Sequence, residues 1–290
     1  EFEPAWEYVK ARPLPAVIKY DGLAAGKGVV VAMSYEEAEQ ALRDMLLDSA
    51  FGKGKVIVEE FLDGPEFSFM CVVSGEKVYP LELAQDHKRA YDGDKGPNTG
   101  GMGAYSPVPF ISDEVRNEAL ERILRPVAKA MVSEGVPFTG VLYGGLILTK
   151  DGPKVIEFNA RFGDPETEVV LPRLKSDILD LFEAAVDGTD CELQWSPKAC
   201  LGVVMASDGY PGAYAKGAVI EGLDRTEGRV YHMGTAIDAD GHTVTAGGRV
   251  LMVVGEGDSV AEANAAALRD VTHIGCPSLF HRTDIGHQAL

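Results

Sequence analysis

The most informative stretch of the sequence is VIEFNARFGDPE, which spans residues 155–166. Val155 to Phe158 predict a β-strand, and alternate side chains of a strand face the same way. Glu157, Asn159 and Arg161 therefore project from one face as an acid, a neutral oxygen donor and a planar cation. The first two suit Mg²⁺ bridged to phosphate oxygens, and Arg161 can hold a phosphoryl or carboxylate group through two hydrogen bonds.

The plainer interpretation of this stretch is a strand that ends in a polar loop. A motif as short as E-x-N often occurs without a function. The weight of the metal-site hypothesis therefore depends on the rest of the chain.

Length and composition favour a globular protein of about two domains. The 290 residues are 46% hydrophobic and 25% charged, and no apolar run approaches the ~20 residues of a membrane span. A net charge of −18 argues against a nucleic-acid partner, which normally meets a basic face. A nucleotide site is compatible with this charge because it needs only a few local cations.

The four cysteines, Cys71, Cys191, Cys200 and Cys276, have neither C-x-x-C spacing nor a histidine pattern beside them. They predict reduced, buried thiols and a cytoplasmic protein rather than disulfides or zinc. The first residue is not Met and no targeting segment follows, so we expect a chain that has been cut at its N-terminus.

The pattern of the first two thirds predicts a mixture of strands and helices. Strands are expected at 15–20, 29–33, 55–61, 66–73, 78–83, 141–149 and 154–158. Helices are expected from Ser34, which opens a capping box with Glu37, over 113–134 with a possible kink at Pro126, and over 168–186 up to Gly188. Residues 84–109 predict one long polar loop of functional character.

A domain boundary is predicted near 190–197. The remainder, 199–290, reads as strand-rich with one helix at 260–271. The predicted domains are therefore 1–191 and 192–290.

The segment DGLAAGKG, residues 21–28, resembles a phosphate-binding loop but lacks the spacing and the Ser or Thr of a Walker motif. A glycine-rich hairpin can still place backbone N–H groups, including that of Gly28, over phosphates. Lys19 and Lys27 then supply charge for a triphosphate. A surface hairpin without function is an equally good interpretation of this segment alone.

The segment VEEFLDGPE, residues 58–66, places acids where a strand meets a turn. Backbone groups here can bond an adenine edge, and Glu66 can accept hydrogen bonds from ribose hydroxyls. Solvent-exposed acids without a ligand are the alternative. In the long loop, QDHKR at 85–89 and NTGGMG at 98–103 combine a basic pair with glycines that allow close approach to a ligand. His87 is a weaker candidate for a general base.

Together these segments resemble the ATP-grasp superfamily and, within it, the glycinamide ribonucleotide synthetase family. The strings that carry the resemblance are IKYDGLAAGKGVVV, VIVEEFLDGPEFS, QDHKRAYDGDKGPNTGGMGAYSP, KVIEFNARFGDPETE, TAGGRVLMVVGEGDSVAEA and RTDIGHQAL. It extends from about Trp6 to the last residue.

The resemblance implies an α+β protein: an ATP-grasp core of two subdomains that clamp ATP, with the lid at about 12–62, and a smaller strand-rich C-terminal domain. It implies ligation of glycine to 5-phosphoribosylamine through glycyl phosphate, with ATP and Mg²⁺ or Mn²⁺. It also implies a further N-terminal domain in cis and leaves open a fusion to other purine enzymes.

Residue roles follow from the same resemblance. The metal ligands are Glu157 and Asn159, because 144–148 offers no second acid. The ATP-binding residues are Lys19, Lys27, Gly28, Glu59, Glu60, Leu62 and Glu66. The residues that face glycine, the acyl phosphate and the ribosylamine are Asp86, Asn98, Gly100, Gly101, Met102, Gly103, Arg161 and Asp164.

Two alternatives remain at this point. One is a different ATP-grasp carboxylate–amine ligase. The other is a nucleotide-binding module of a larger protein that has no turnover of its own.

Overall fold

An antiparallel sheet of three strands forms the centre of the first compact unit, Glu1–Asp63, in this computed structural model, which describes residues 1–22, 24, 28–48, 52 and 54–290. Its strands are β1 (Ala16–Asp21), β2 (Val29–Ala32) and β3 (Lys55–Glu60), with β1 in the middle. The helices α1 (Phe2–Lys10) and α2 (Tyr35–Leu46) bury their apolar residues against one face of this sheet. The predicted strands of this unit are confirmed.

The capping box at the start of α2 is also confirmed. The Ser34 hydroxyl accepts a hydrogen bond from the Glu37 amide at 3.2 Å, and the Glu37 carboxylate accepts one from the Met33 amide at 2.7 Å. These contacts satisfy amides that have no partner inside the helix.

The second unit, Gly64–Leu290, is built on one nine-stranded antiparallel sheet. The strands of this unit are β4 (Glu66–Ser74), β5 (Lys77–Asp86), β6 (Arg89–Tyr91), β7 (Lys95–Asn98), β8 (Gly103–Ser106), β9 (Thr139–Thr149), β10 (Gly152–Asn159), β11 (Ala199–Ser207), β12 (Arg229–His232), β13 (Thr235–Ile237), β14 (Thr243–Thr245), β15 (Arg249–Gly257) and β16 (Leu279–Phe280). The large sheet runs β10-β9-β4-β5-β8-β11-β15-β12, and β16 pairs with β11. The helices are α3 (Asp113–Ala119), α4 (Arg125–Ser133), α5 (Thr167–Val170), α6 (Ile178–Asp187) and α7 (Val260–Val271).

The prediction of a single polar loop over 84–109 is wrong. Strand β5 continues to Asp86, β6 and β7 pair with each other, and β8 joins β5 to β11 in the middle of the large sheet. Met102, Ala104 and Tyr105 are fully buried. Local sequence concealed β8 because its partner, β11, lies about a hundred residues further along the chain.

Two predicted helices are interrupted. The π-helical turn Leu120–Leu124 separates α3 from α4 just before Pro126, whose ring would clash with a carbonyl of a regular helix. The helix predicted over 168–186 breaks at a 3₁₀ turn, Leu171–Arg173. The buried Arg173 donates there to the carbonyl oxygens of Ser196 and Lys198. The hydrophobic periodicity of the sequence does not reveal these hydrogen bonds. The predicted end at Gly188, with φ of 66°, is confirmed.

The C-terminal part is strand-rich around one α-helix, as predicted. The domain bounds 1–191 and 192–290 stay a prediction. Strands from the two sides of the predicted boundary, β8 and β11, are neighbours in one sheet. All four cysteines are free thiols, two of them fully buried. No helix among the described residues is long and apolar enough to cross a membrane.

Candidate functional site

The centre of the candidate site is the exposed end of β10. A bulge at Ile156 shifts the pairing with β9, so that Glu157 faces Gly145 and Asn159 faces Tyr143. Glu157 is exposed, and the Asn159 amide nitrogen donates to its Oε1 at 3.0 Å. The carboxylate and the amide therefore lie together, a donor set that suits a hard divalent cation.

The neighbouring strand contributes no acid at this level, because its residue is Gly145. A Cβ at this position would lie 3.3 Å from Glu157 Cγ. The Glu157 side chain therefore fills the space above β9.

A lysine and two more acids lie at the ends of β4 and β5. Lys88 Nζ lies 3.2 Å from Glu66 Oε2. Burial alone would lower the pKa of Lys88, but the charges of Glu66, Asp86 and Glu157 outweigh it and raise that pKa. These four residues therefore form one electrostatic cluster, called here the acidic cluster, with Lys88 as its cation.

Asp86 contributes a buried carboxylate oxygen to the acidic cluster. Its Oδ1 is buried and has no hydrogen-bond partner among the described residues. Burial and the nearby charge of Glu166 raise its pKa well above the usual range, and Lys88 and Arg249 oppose the shift. A buried carboxyl oxygen without a partner is costly and calls for a ligand or a proton.

Gly101 closes over Asp86. Its φ is +117°, and a Cβ there would lie 2.6 Å from Asp86 Oδ1 and 2.4 Å from Pro165 Cδ. Only glycine fits this approach. The NTGGMG segment and the FGDPE turn therefore meet at Asp86.

Glu166 was not singled out from the sequence. It is almost completely buried, and its Oε1 accepts hydrogen bonds from Ser68 Oγ at 2.8 Å and from the Tyr143 hydroxyl at 2.7 Å. Burial of Tyr143 and the nearby charge of Glu166 raise the pKa of Tyr143, which keeps that hydroxyl a donor. The only signal in the sequence was its place in the quoted FGDPE string.

Arg249 was also missed as an individual residue, although it lies in the quoted string TAGGRVL. Its guanidinium forms an ion pair with Asp164 at 2.9 Å and donates to the Gly100 carbonyl oxygen at 3.0 Å. A residue of the C-terminal part thus contacts two predicted site segments.

The other predicted residues of the second unit have simpler surroundings. Arg161 is exposed and donates to the Phe162 carbonyl oxygen, and Asn98 is exposed at the end of β7. The Met102 side chain is fully buried, and Gly103 lies in the sheet. These last two can face a ligand only through their backbones.

His87 is buried rather than solvated. Its Nε2 accepts a hydrogen bond from the Gly286 amide at 3.2 Å. Burial and the charge of Arg282 lower its pKa to about 4. The contact with Gly286 makes a structural role the better interpretation.

In the first unit, Lys19 lies on the face of the sheet opposite the helices. Its direct neighbours on β2 and β3 are Val29 and Ile57, and both are about half exposed. Lys19 Nζ lies 2.7 Å from Glu59 Oε2. The ammonium group of Lys19 can therefore contact an anion, while the apolar side chains beside it can pack against a flat apolar ring.

The remaining predicted nucleotide residues are placed as follows. Gly28 is buried and its carbonyl accepts from the Tyr20 amide at 2.7 Å. Glu60 is exposed and Leu62 is half-buried. Lys27 lies outside the described residues.

Two family models match the chain. One, described as the ATP-grasp (A) domain of phosphoribosylglycinamide synthetase, covers residues 1–167, and one described as the C domain of the same enzyme covers residues 200–288.

Individual proteins match over the whole chain. A phosphoribosylamine–glycine ligase of Halalkalibacterium halodurans is 54% identical over all of the chain and 68% of its own length. The enzyme of the same name from Vibrio parahaemolyticus is 51% identical over 69% of its length. The crystal structure of phosphoribosylamine–glycine ligase from Thermotoga maritima matches with a TM-score of 0.91 and 35% identity over 98% of this chain and 72% of that one. A biotin carboxylase from Campylobacter jejuni shares the fold, with a TM-score of 0.71 at 14% identity over 96% of this chain and 61% of that one.

Proposed function

Because the chain belongs to the phosphoribosylglycinamide synthetase family, we propose that it joins glycine to 5-phosphoribosylamine and converts ATP to ADP and phosphate. The ATP-grasp fold expected from the sequence is confirmed by the structural matches. The observation that carries the proposal is the contact of Asn159 with Glu157, a member of the acidic cluster, in a chain of this family.

The chemistry explains why ATP is needed. A carboxylate is a poor acyl donor at neutral pH. Transfer of the terminal phosphoryl group to glycine gives glycyl phosphate and ADP. The ribosylamine nitrogen then attacks the carbonyl carbon, phosphate leaves, and the nitrogen loses a proton to give glycinamide ribonucleotide. The protein supplies position and charge neutralisation.

Glu157 and Asn159 would hold the divalent cation, with one carboxylate and one amide oxygen as ligands. Mg²⁺ or Mn²⁺ fits these donors, which leave coordination positions for phosphate and water. When bound, the cation supplies charge neutralisation at the ATP phosphates.

The proposed roles in ATP binding are assigned residue by residue. In the first unit, Lys19, Lys27 and the backbone at Gly28 would bind phosphates. The segment from Glu59 through Glu60 to Leu62 would receive adenine, supported by the open apolar face around Lys19. Glu66 of the second unit would bind ribose. To bind phosphate, Lys19 must give up part of its contact with Glu59. To bind ribose, Glu66 must likewise give up part of its contact with Lys88.

Glycine and the ribosylamine would face Asp86, Asn98, Gly100, Gly101, Met102, Gly103 and Asp164. Arg161 is exposed next to the metal pair and can steady an acyl phosphate through two hydrogen bonds. The buried, unpartnered oxygen of Asp86 supports a role beside an amine.

The test is ADP release by this chain with MgATP, glycine and phosphoribosylamine formed in situ, with each component omitted in turn. Glu157→Ala should reduce ADP release at least about a hundredfold, since it removes the charged metal ligand. Glu76→Ala, which removes an exposed acid from the hairpin after β4, is the matched control. Near-normal turnover of Glu157→Ala would show that Glu157 is not a metal ligand.

Release that does not depend on glycine would favour another ATP-grasp ligase, and nucleotide binding without release would favour a module without turnover. The cytoplasmic location, the N-terminal domain in cis and a fusion to other purine enzymes stay predictions. The coding sequence on both sides of this chain tests the last two.

A further inference from the structure

The backbone amide and the carbonyl oxygen of Gly100 both contact residues from the C-terminal part of the chain. Its amide donates to the Tyr210 hydroxyl at 3.0 Å, and its carbonyl oxygen accepts from Arg249 Nη1 at 3.0 Å. Tyr210 and Arg249 follow Gly100 by more than a hundred residues. A glycine loop would otherwise have wide conformational freedom, so two such contacts narrow it strongly.

The same guanidinium reaches the second site segment. Arg249 Nη1 lies 2.9 Å from the Asp164 carbonyl oxygen and 2.9 Å from its Oδ1. One guanidinium nitrogen therefore joins the NTGGMG segment to the FGDPE turn. The side chain is 18% exposed, so these charge-assisted contacts are partly shielded from water.

The space around Gly100 and Tyr210 is fitted to this arrangement. A Cβ at Gly100 would lie 3.1 Å from the Arg249 guanidinium, and a Cβ at Gly248 would lie 2.3 Å from the Tyr210 ring. Glycine at both positions lets the arginine and the tyrosine approach the loop.

Movement at Gly100 would reach the acidic cluster directly. The next residue, Gly101, packs against Asp86 Oδ1 and Pro165. The loop is anchored to its own chain neighbours mainly through Thr99, whose amide donates to the Lys88 carbonyl oxygen, and through Met102, whose amide donates to that of His87. Gly100 and Gly101 lie between these anchors, and Arg249 and Tyr210 hold Gly100 there.

We infer that Arg249 and Tyr210 are positioning residues that hold the NTGGMG loop against the FGDPE turn and so place the groups that receive glycine and the ribosylamine. This inference rests on the proposed function for its kinetic consequence, but not for its structural one. Neither residue needs to contact a substrate, because both act through Gly100 and Asp164.

The kinetic test compares Arg249→Met, Arg249→Lys and Tyr210→Phe with wild type. Arg249→Met should lower kcat/KM for glycine and for phosphoribosylamine by about 10- to 100-fold, since small misplacements of reacting groups have effects of that size. The KM for ATP should change less than about twofold. Tyr210→Phe removes one neutral hydrogen bond and should have a smaller effect, about 3- to 10-fold. Arg249→Lys should recover part of the loss.

The matched control is Arg269→Met, which removes an exposed arginine of α7 that pairs with Glu227. It should leave every kinetic constant within about twofold of wild type. In one contradicting outcome, Arg249→Met raises the KM for ATP by as large a factor as it lowers kcat/KM for glycine and phosphoribosylamine. In the other, the Tyr210→Phe protein is unfolded. Either result would show that the two residues act on general stability and would overturn the inference.

Amide hydrogen exchange separates this inference from the proposed function. In Arg249→Met, peptides that contain 98–103 should exchange at least about tenfold faster, while peptides from β9 and β10 stay unchanged. Unchanged exchange at 98–103 would overturn the positioning role even if activity fell, because Arg249 would then act on substrate directly. If the wild-type chain had no ligase turnover, the proposed function would be contradicted. The exchange result would then still test whether Arg249 holds the loop at Gly100.

Discussion

At the scale of single residues, Glu168 is the acid whose environment gives the clearest expectation. Its Oε2 is buried and has no hydrogen-bond partner in the described part of the chain. Burial raises the pKa of Glu168 to about 7, and the charges of Asp164 and Glu166 add to the shift, while Arg249 opposes it. The folded state therefore holds a proton that the unfolded chain releases near pH 4.5.

This difference predicts a pH-dependent effect of Glu168→Gln on stability. The contribution of the protonated acid is fully present below pH 4.5 and is lost as the pH rises through about 7. The glutamine variant should match wild type at pH 4 and exceed it by about 1 kcal/mol in free energy of unfolding at pH 8, after discounting for partial solvent exposure. Urea denaturation at both pH values measures this. Glu183→Gln on the exposed side of α6 is the control, and a parallel pH profile of the two variants would contradict the prediction.

At the scale of secondary-structure elements, β8 is the strand that connects the two ends of the large sheet. It begins at Gly103, whose φ is +153° and whose Cβ, if present, would lie 2.5 Å from the Gly202 carbonyl oxygen on β11. A side chain there would strain the backbone and push against a neighbouring strand that cannot give way.

Gly103→Ala should therefore lower the free energy of unfolding by about 2–4 kcal/mol. Gly135→Ala provides a matched control, because Gly135 has φ of +78° but a Cβ there meets no described atom within 4 Å. It should cost only the backbone term, about 1 kcal/mol. Equal losses in the two variants, measured by chemical denaturation, would show that the contact with β11 carries no weight.

At the scale of the whole molecule, a buried arginine joins the end of the chain to the hairpin of β6 and β7. Arg282 is completely buried and pairs with Asp94 at 3.0 Å and with Asp284 at 2.7 Å. It also donates to the Arg89 carbonyl oxygen at 3.0 Å. Burial alone would raise the pKa of Asp284, but hydrogen bonds from Arg282 and from the Gly93 amide hold that pKa well below its usual range.

Arg282→Met should lower the free energy of unfolding by about 3 kcal/mol at pH 7, because it leaves two acids without their buried partner. The deficit should shrink as the pH falls below about 4, where the unfolded-state aspartates take up protons and the stabilisation by the lowered pKa is lost. Arg122→Met removes an arginine of an exposed helical ion pair and should change stability by less than about 0.5 kcal/mol. A deficit that is the same at pH 3 and pH 7 would contradict the ionic origin.

Local pattern was sufficient for the elements whose partners lie close in the chain. The strands of the first unit, the capping box at Ser34 and Glu37, and the end of α6 at Gly188 follow from alternation, caps and glycine positions, which depend on neighbours a few residues away. The pair of Glu157 and Asn159 also followed, since two residues on one strand share a face wherever the strand lies.

Only the tertiary structure placed β8 in a sheet and brought Glu166 and Arg249 to the candidate site. Each depends on partners about 100 to 150 residues away: β8 on β11, Glu166 on Ser68, and Arg249 on Gly100. Contacts at such separation are favourable only when the whole sheet holds both partners in place. No window of the sequence contains both of their ends, so the strand, the buried carboxylate and the positioning arginine could not be read from local pattern.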